Sequence, residues 1–187
     1  RALGQIFERE RSEKSLVDVQ AYALMPNHFH MILKQKTDDG IRSFMHRIAT
    51  AYSMYFNIKY GHSGVMFQGR FRSVHVESDP QYRWLFSYIH LNPVSIIEPQ
   101  WKDKGISDPR RSEEHLSRYA YSSYFDYYIG KPPQTAILSL EDGDGIIDQR
   151  KDLLGLLSDY QHGRFLHEDD DVENGLMKHQ AMLQSAA

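Results

Sequence analysis

Residues 16–24 (Leu-Val-Asp-Val-Gln-Ala-Tyr-Ala-Leu) are rich in strand formers, and residues 28–36 repeat that character after a Pro26-Asn27 turn. Two strands joined this tightly predict an antiparallel hairpin. Upstream, residues 2–13 read as a short helix with Leu3, Ile6 and Phe7 inward. Asp38-Asp39-Gly40 opens a long helix to about Lys59, in which Ile41, Phe44, Met45, Ile48, Tyr52, Tyr55 and Phe56 recur at three- and four-residue spacing, the pattern of a buried stripe. Gly61 and Gly64 end it, and Met66 to Glu77 reads as another strand. Asp79-Pro80 then starts a helix through Trp84, Leu85, Tyr88 and Ile89, and Pro93 stops it near Asn92.

The order is helix, strand, strand, helix, strand, helix. With one more strand upstream it becomes the βαββαβ pattern of a ferredoxin-like sheet, an α+β fold, plus an added helix. Beyond Pro99, the Tyr119–Tyr128 segment is densely aromatic and reads as a packing element over the main domain. Residues 146–160 form an amphipathic helix pattern, and from Glu168 the chain is acidic and expected to be mobile.

Composition adds exclusions. With no cysteine the chain makes no disulfide, thiolate zinc site or cysteine nucleophile. No apolar run approaches the ~20 residues that span a bilayer and no leader pattern opens the chain, so a cytoplasmic protein without membrane partners is expected. The net charge of −3 conceals an asymmetry. Residues 34–76 carry seven Lys/Arg against Asp38 and Asp39, while residues 139–173 carry eleven acids against Arg150, Lys151 and Arg164. Such a division suggests a basic working surface with an acidic tail elsewhere.

The candidate chemistry starts at His28-Phe29-His30. On a strand the two imidazoles project together and form half of a divalent-cation site. Tyr88 and Asn92, four apart on a helix, share a face and supply a phenol and an amide oxygen. Two imidazoles and an amide make an open, neutral site suited to Mg²⁺ or Mn²⁺ beside a phosphate. A tyrosine hydroxyl next to it fits phosphodiester cleavage by covalent catalysis, leaving a 5′-phosphotyrosine link and a free 3′-hydroxyl. On the predicted strand, Gln68, Arg70 and Arg72 share a face that offers contacts to phosphates or bases. Lys34 and Lys36 share the face of His28 and His30 and are expected to bring positive charge to the metal; His90 is added to the DNA-binding set.

Met25-Pro26-Asn27-His28-Phe29-His30, Phe67-Gln68-Gly69-Arg70-Phe71 and Tyr88-Ile89-His90-Leu91-Asn92-Pro93-Val94 together resemble the REP-associated tyrosine transposases, which are single-tyrosine HUH nucleases. The resemblance covers about residues 16–95, and Tyr121-Ser122-Ser123-Tyr124 is similar to a downstream Trp-Ser-Ser-Tyr segment of that family. It implies metal binding by His28 and His30, Tyr88 as nucleophile, and Asn92 at a third-ligand position that is Gln in related enzymes. It also implies strand cleavage and transfer on single-stranded DNA carrying a hairpin. The family begins with a strand containing an aromatic-Asn-Arg-Gly segment that residues 1–15 do not match, so the sheet is expected to lack its first strand here. The expected organisation is a nuclease domain over residues 1–98, an aromatic and helical extension over 99–167, and an acidic tail over 168–187, acting as a monomer or homodimer. Two alternatives stand beside this reading: a hairpin-binding module without catalysis, and a metal-water phosphodiesterase in which Tyr88 is structural.

Overall fold

Met25, Pro26 and Asn27 turn the chain back on itself, closed by the Met25 N–H donating to the His28 carbonyl at 2.8 Å. The computed structural model describes residues 15–129 and 137–139. The turn joins Val17–Leu24 (β1) to Phe29–Gln35 (β2) in an antiparallel pair, with Ala23 opposite His30 and Ala21 opposite Ile32. The register shifts between Val19 and Ala21, so Gln20 is the extra residue of a bulge. These are the sheet's strands among the described residues. The hairpin agrees with the sequence pattern, whereas a four-stranded ferredoxin-like sheet is not formed by them. The helices expected at 2–13 and 146–160, and the acidic tail from 168, lie outside the described residues.

The long helix α1 spans Gly40–Tyr60. Gly40 is required where the helix start crosses β1: a Cβ there would lie 2.3 Å from the Leu16 carbonyl oxygen. Gly61, at φ 60°, ends the helix in the left-handed conformation. Met45 is buried, but Tyr52 and Tyr55 are about half exposed. The expected buried stripe therefore fails in its second half. A 21-residue helix is about 32 Å long, while the seven-residue β2 is about 23 Å, so the last turns of α1 overhang the sheet. There Tyr52, Phe56 and Tyr60 pack on one another, and Tyr52 meets Phe67, which lies edge-on to Phe29 of β2.

Residues 66–77 form no strand. Gly69, at φ 86°, interrupts the extended run, and the segment joins no backbone ladder among the described residues. Helix α2 follows over Asp79–Leu91. Its cap is Ser78 instead of Asp79: the Ser78 hydroxyl accepts from the Gln81 N–H, and Gln81 Oε1 accepts from the Glu77 N–H at 2.7 Å. Its last two turns are buried on every side, from Phe86 to Leu91. Such a helix needs a cover on two sides.

The sheet supplies one cover and the downstream chain the other. After a 3₁₀ turn at Asn92–Ile96 come α3 (Trp101–Lys104), α4 (Pro109–Arg118) and α5 (Tyr124–Tyr128). Trp101, Ile106, Leu116 and Tyr124 are buried in the same cluster as Ala21, Ala23, Ile32, Phe86 and Tyr88. This segment also closes the outer edge of β1. Leu24 N–H donates to the Tyr121 carbonyl at 2.8 Å, Ser123 N–H to the Tyr22 carbonyl at 3.0 Å, and Ser139 N–H to the Val19 carbonyl at 2.8 Å. A free strand edge is thereby satisfied without a third regular strand.

Candidate active site

Strand alternation sends Phe29, Met31 and Leu33 toward one face of β2 and His28, His30 and Ile32 toward the other. On the second face α2 packs across the hairpin. The His28 and His30 rings meet edge to face at 4.9 Å, and the Tyr88 ring meets His30 at 5.9 Å. Tyr88 is held against the helix by Trp84, one turn back, with the rings stacked at 5.0 Å. The structure thus brings the sequence-predicted phenol to the imidazole pair.

Each imidazole is prepared differently. His28 Nδ1 lies 2.6 Å from Asn27 Oδ1. A carbonyl oxygen only accepts, so Nδ1 carries the proton and Nε2 keeps the lone pair. Burial, then the Lys102 ammonium, holds the His28 pKa below its ordinary value. His30 is pushed down to about 3, first by burial, then by His28 and Lys102. Both rings are therefore neutral near pH 7. Their Nε2 atoms are buried and have no hydrogen-bond partner. Two orphaned, neutral imidazole nitrogens side by side fit a divalent cation. Among the described residues no group of three or more His, Asp or Glu converges.

Asn92 is fully buried at the junction of α2 and the 3₁₀ turn, and its Nδ2 donates to the Tyr88 carbonyl at 3.2 Å. This bond satisfies a terminal carbonyl of the helix and ties Asn92 to the residue that bears the phenol.

Sequence reasoning missed Lys102. Its Nζ donates to the Tyr88 hydroxyl oxygen at 2.5 Å and lies 4.5 Å from the centroid of the same ring. The residue before it, Trp101, is inserted in the core at 1% exposed and fixes the short helix that carries the lysine. No motif marks a lysine fourteen positions after the tyrosine; the neighbouring tryptophan in a polar stretch was the available signal.

Other expected residues sit elsewhere. His90 is fully buried, with Nε2 2.7 Å from Ser123 Oγ and its ring among Phe86, Tyr127 and Tyr128. It cannot touch DNA. Positions 88 and 90 are some 200° apart around a helix, so one faces the sheet while the other faces the downstream cover. Lys36 pairs with Asp18 at 3.4 Å, and Lys34 is four strand residues from His30, about 13 Å along β2. The positive charge near the histidines comes from Lys102 instead. Gln68, Arg70 and Arg72 are exposed, though on an irregular segment and not a strand face.

Residues 2–92, just under half of the chain, match a family model described as Transposase IS200 like. No curated protein and no solved structure gives a match. Among the described residues no helix is long and apolar enough to cross a membrane.

Proposed function

We propose that this chain is a single-tyrosine HUH transposase that nicks and transfers single-stranded DNA, of the REP-associated kind. Transposases bind and cleave DNA, which accords with the matched family. The observation that carries the finer reading is the Tyr88 phenol set against His30 in a pair of neutral, orphaned imidazoles. His28 and His30, with the Asn92 amide oxygen, would hold Mg²⁺ or Mn²⁺. The cation would supply charge neutralisation at the scissile phosphate.

The chain's own residues do the rest. Asn27 fixes the His28 tautomer, Trp84 stacks on Tyr88 to hold its ring, and Tyr88 Oη attacks phosphorus as the 3′ oxygen departs. The phosphotyrosine formed on the 5′ end keeps the phosphodiester energy, so rejoining needs no nucleotide cofactor. Gln68, Arg70 and Arg72, with Lys34 further along β2, form the DNA-contacting set. From Gly40 to Val76 there are five Lys/Arg and no acid, which favours a polyanion on this side. A hairpin is the substrate proposed.

The test incubates end-labelled hairpin DNA with the protein and Mg²⁺ or Mn²⁺, followed by denaturing gels. A covalent protein–DNA band that disappears in Tyr88→Phe is expected. Cleavage that survives Tyr88→Phe would transfer the chemistry to a water, and binding without cleavage would leave a DNA-holding module.

A further inference from the structure

The lysine over Tyr88 has no place in the proposed machinery so far. Its ammonium makes two contacts with one side chain, the 2.5 Å hydrogen bond to the hydroxyl and the 4.5 Å approach to the ring. Among the described residues it forms no ion pair with a carboxylate. Tyr88 is 6% exposed, whereas Lys102 is half-buried at the surface above it. An anion bound at the phenol oxygen would therefore lie beside the ammonium. A lysine packed for stability alone would be expected to send its head into water and keep only its stem against apolar surface. Here the charged head lies on the Tyr88 hydroxyl and over its ring.

We propose that Lys102 is a catalytic residue: its ammonium holds the Tyr88 hydroxyl oxygen in place and stabilises that oxygen whenever it bears negative charge. The proposal rests on the strand-transfer reading above and extends it to both directions of the reaction. In cleavage the Tyr88 Oη–phosphorus bond forms and the phosphorus–O3′ bond breaks. The phenol proton passes to water, and the departing 3′ oxygen takes a proton from water. In rejoining the 3′-hydroxyl oxygen attacks phosphorus, its proton goes to water, and Tyr88 leaves as a phenolate. Lys102 keeps its protons throughout and donates one hydrogen bond to the tyrosine oxygen at each stage. The partial burial of this bond strengthens it relative to one in open water.

The experiment compares the full chain with Lys102→Met and Lys102→Arg under single-turnover conditions at saturating hairpin DNA. Formation of the adduct and its resolution by a 3′-hydroxyl strand are both measured. In Lys102→Met both rates are expected to fall by roughly a hundredfold, as when one preorganised donor is removed. Lys102→Arg should recover part of the loss, and DNA affinity in EDTA should stay within a few-fold. A second substrate carries sulfur in place of the scissile 3′ oxygen, which makes the leaving group better. If Lys102 serves the tyrosine oxygen, the Lys102→Met deficit persists on it. A deficit erased by the sulfur substrate would assign the lysine to the 3′ oxygen and overturn the proposal. Wild-type rates in Lys102→Met, or faster ones as from releasing a latch, would overturn it as well. Tyr88→Phe is run alongside: an adduct surviving that change refutes the underlying reading and not merely the role of the lysine.

Discussion

His90 Nε2 lies 2.7 Å from Ser123 Oγ, joining α2 to the downstream segment across thirty-three residues. The same hydroxyl oxygen accepts from the Tyr22 N–H at 2.9 Å, so one serine links α2, β1 and the cover. Ser123→Ala leaves a buried imidazole and a buried amide without their partner. A loss of about 1–3 kcal/mol is expected from leaving such groups unmade, read by denaturant unfolding. Adduct formation by the folded fraction should persist, because Tyr88 faces the other way. A fully stable Ser123→Ala protein would show this junction to be dispensable.

Acid should loosen the same junction. Burial pushes His90 down to about 3, below the ordinary value near 6.5. The unfolded chain then binds more protons than the folded one between those values. Stability contributed by neutral His90 is complete above about pH 6.5 and falls as pH drops toward 3. From pH 7 to pH 5 the loss is about 2 kcal/mol for this residue. His30, also pushed to about 3, acts in the same direction. His90→Gln should have a visibly shallower fall in stability over this range than the parent chain. An unchanged slope would mean that His90 is already protonated in the fold.

Gly40→Ala should destabilise the fold although the position opens a helix, where alanine is ordinarily favoured. The added Cβ would lie 2.3 Å from the Leu16 carbonyl oxygen, a backbone atom that moves only if β1 moves. Overpacking of this sort is expected to remove about 1–3 kcal/mol. A melting temperature equal to or above the parent's would refute the close crossing.

These contacts also show what was legible in the sequence. β1, β2 and the two main helices follow from local pattern and from their Pro, Gly and Asp punctuation, although the apolar stripe of α1 is buried only in its first half. The approach of Tyr88 to His30 was readable from the helix it sits on, whereas Asn92 falls in the 3₁₀ turn after that helix and is tied to the Tyr88 backbone carbonyl. The 66–77 segment misled because its strand-like composition carries no information about a partner edge, and Gly69 takes a left-handed turn within it. His90 misled by its sequence proximity to Tyr88, although helical geometry places the two on nearly opposite sides. The edge-closing role of Tyr121–Ser123 depends on contacts about a hundred residues apart, and the approach of Lys102 depends on where Trp101 is buried. Neither is a periodicity, and only the fold reveals them.

The imidazole pair makes a prediction about metal binding. Because His28 and His30 are both held below the ordinary value, they carry fewer protons than free imidazoles before a cation arrives. Mn²⁺ binding at pH 6 should release well under the roughly 1.5 protons that two unperturbed imidazoles would lose. Calorimetry in buffers of different ionisation enthalpy reads this number directly. His30→Ala should weaken binding sharply, and a full complement of released protons would mean that the pair is exposed and charged.

The basic segment makes the last prediction. Arg70 and Arg72 are exposed, and the chain from Gly40 to Val76 contains no acid to answer them. If both neutralise phosphates of a single strand, each contributes about 0.7 to the slope of log affinity against log salt. Arg70→Ala/Arg72→Ala should then lower that slope by about 1.4 while leaving the rate of adduct formation at saturating DNA near the parent value. The two readouts separate binding from chemistry, since neither arginine is placed at the Tyr88 oxygen. A slope unmoved by the double substitution would put the DNA on another face, even if the tyrosine chemistry is right.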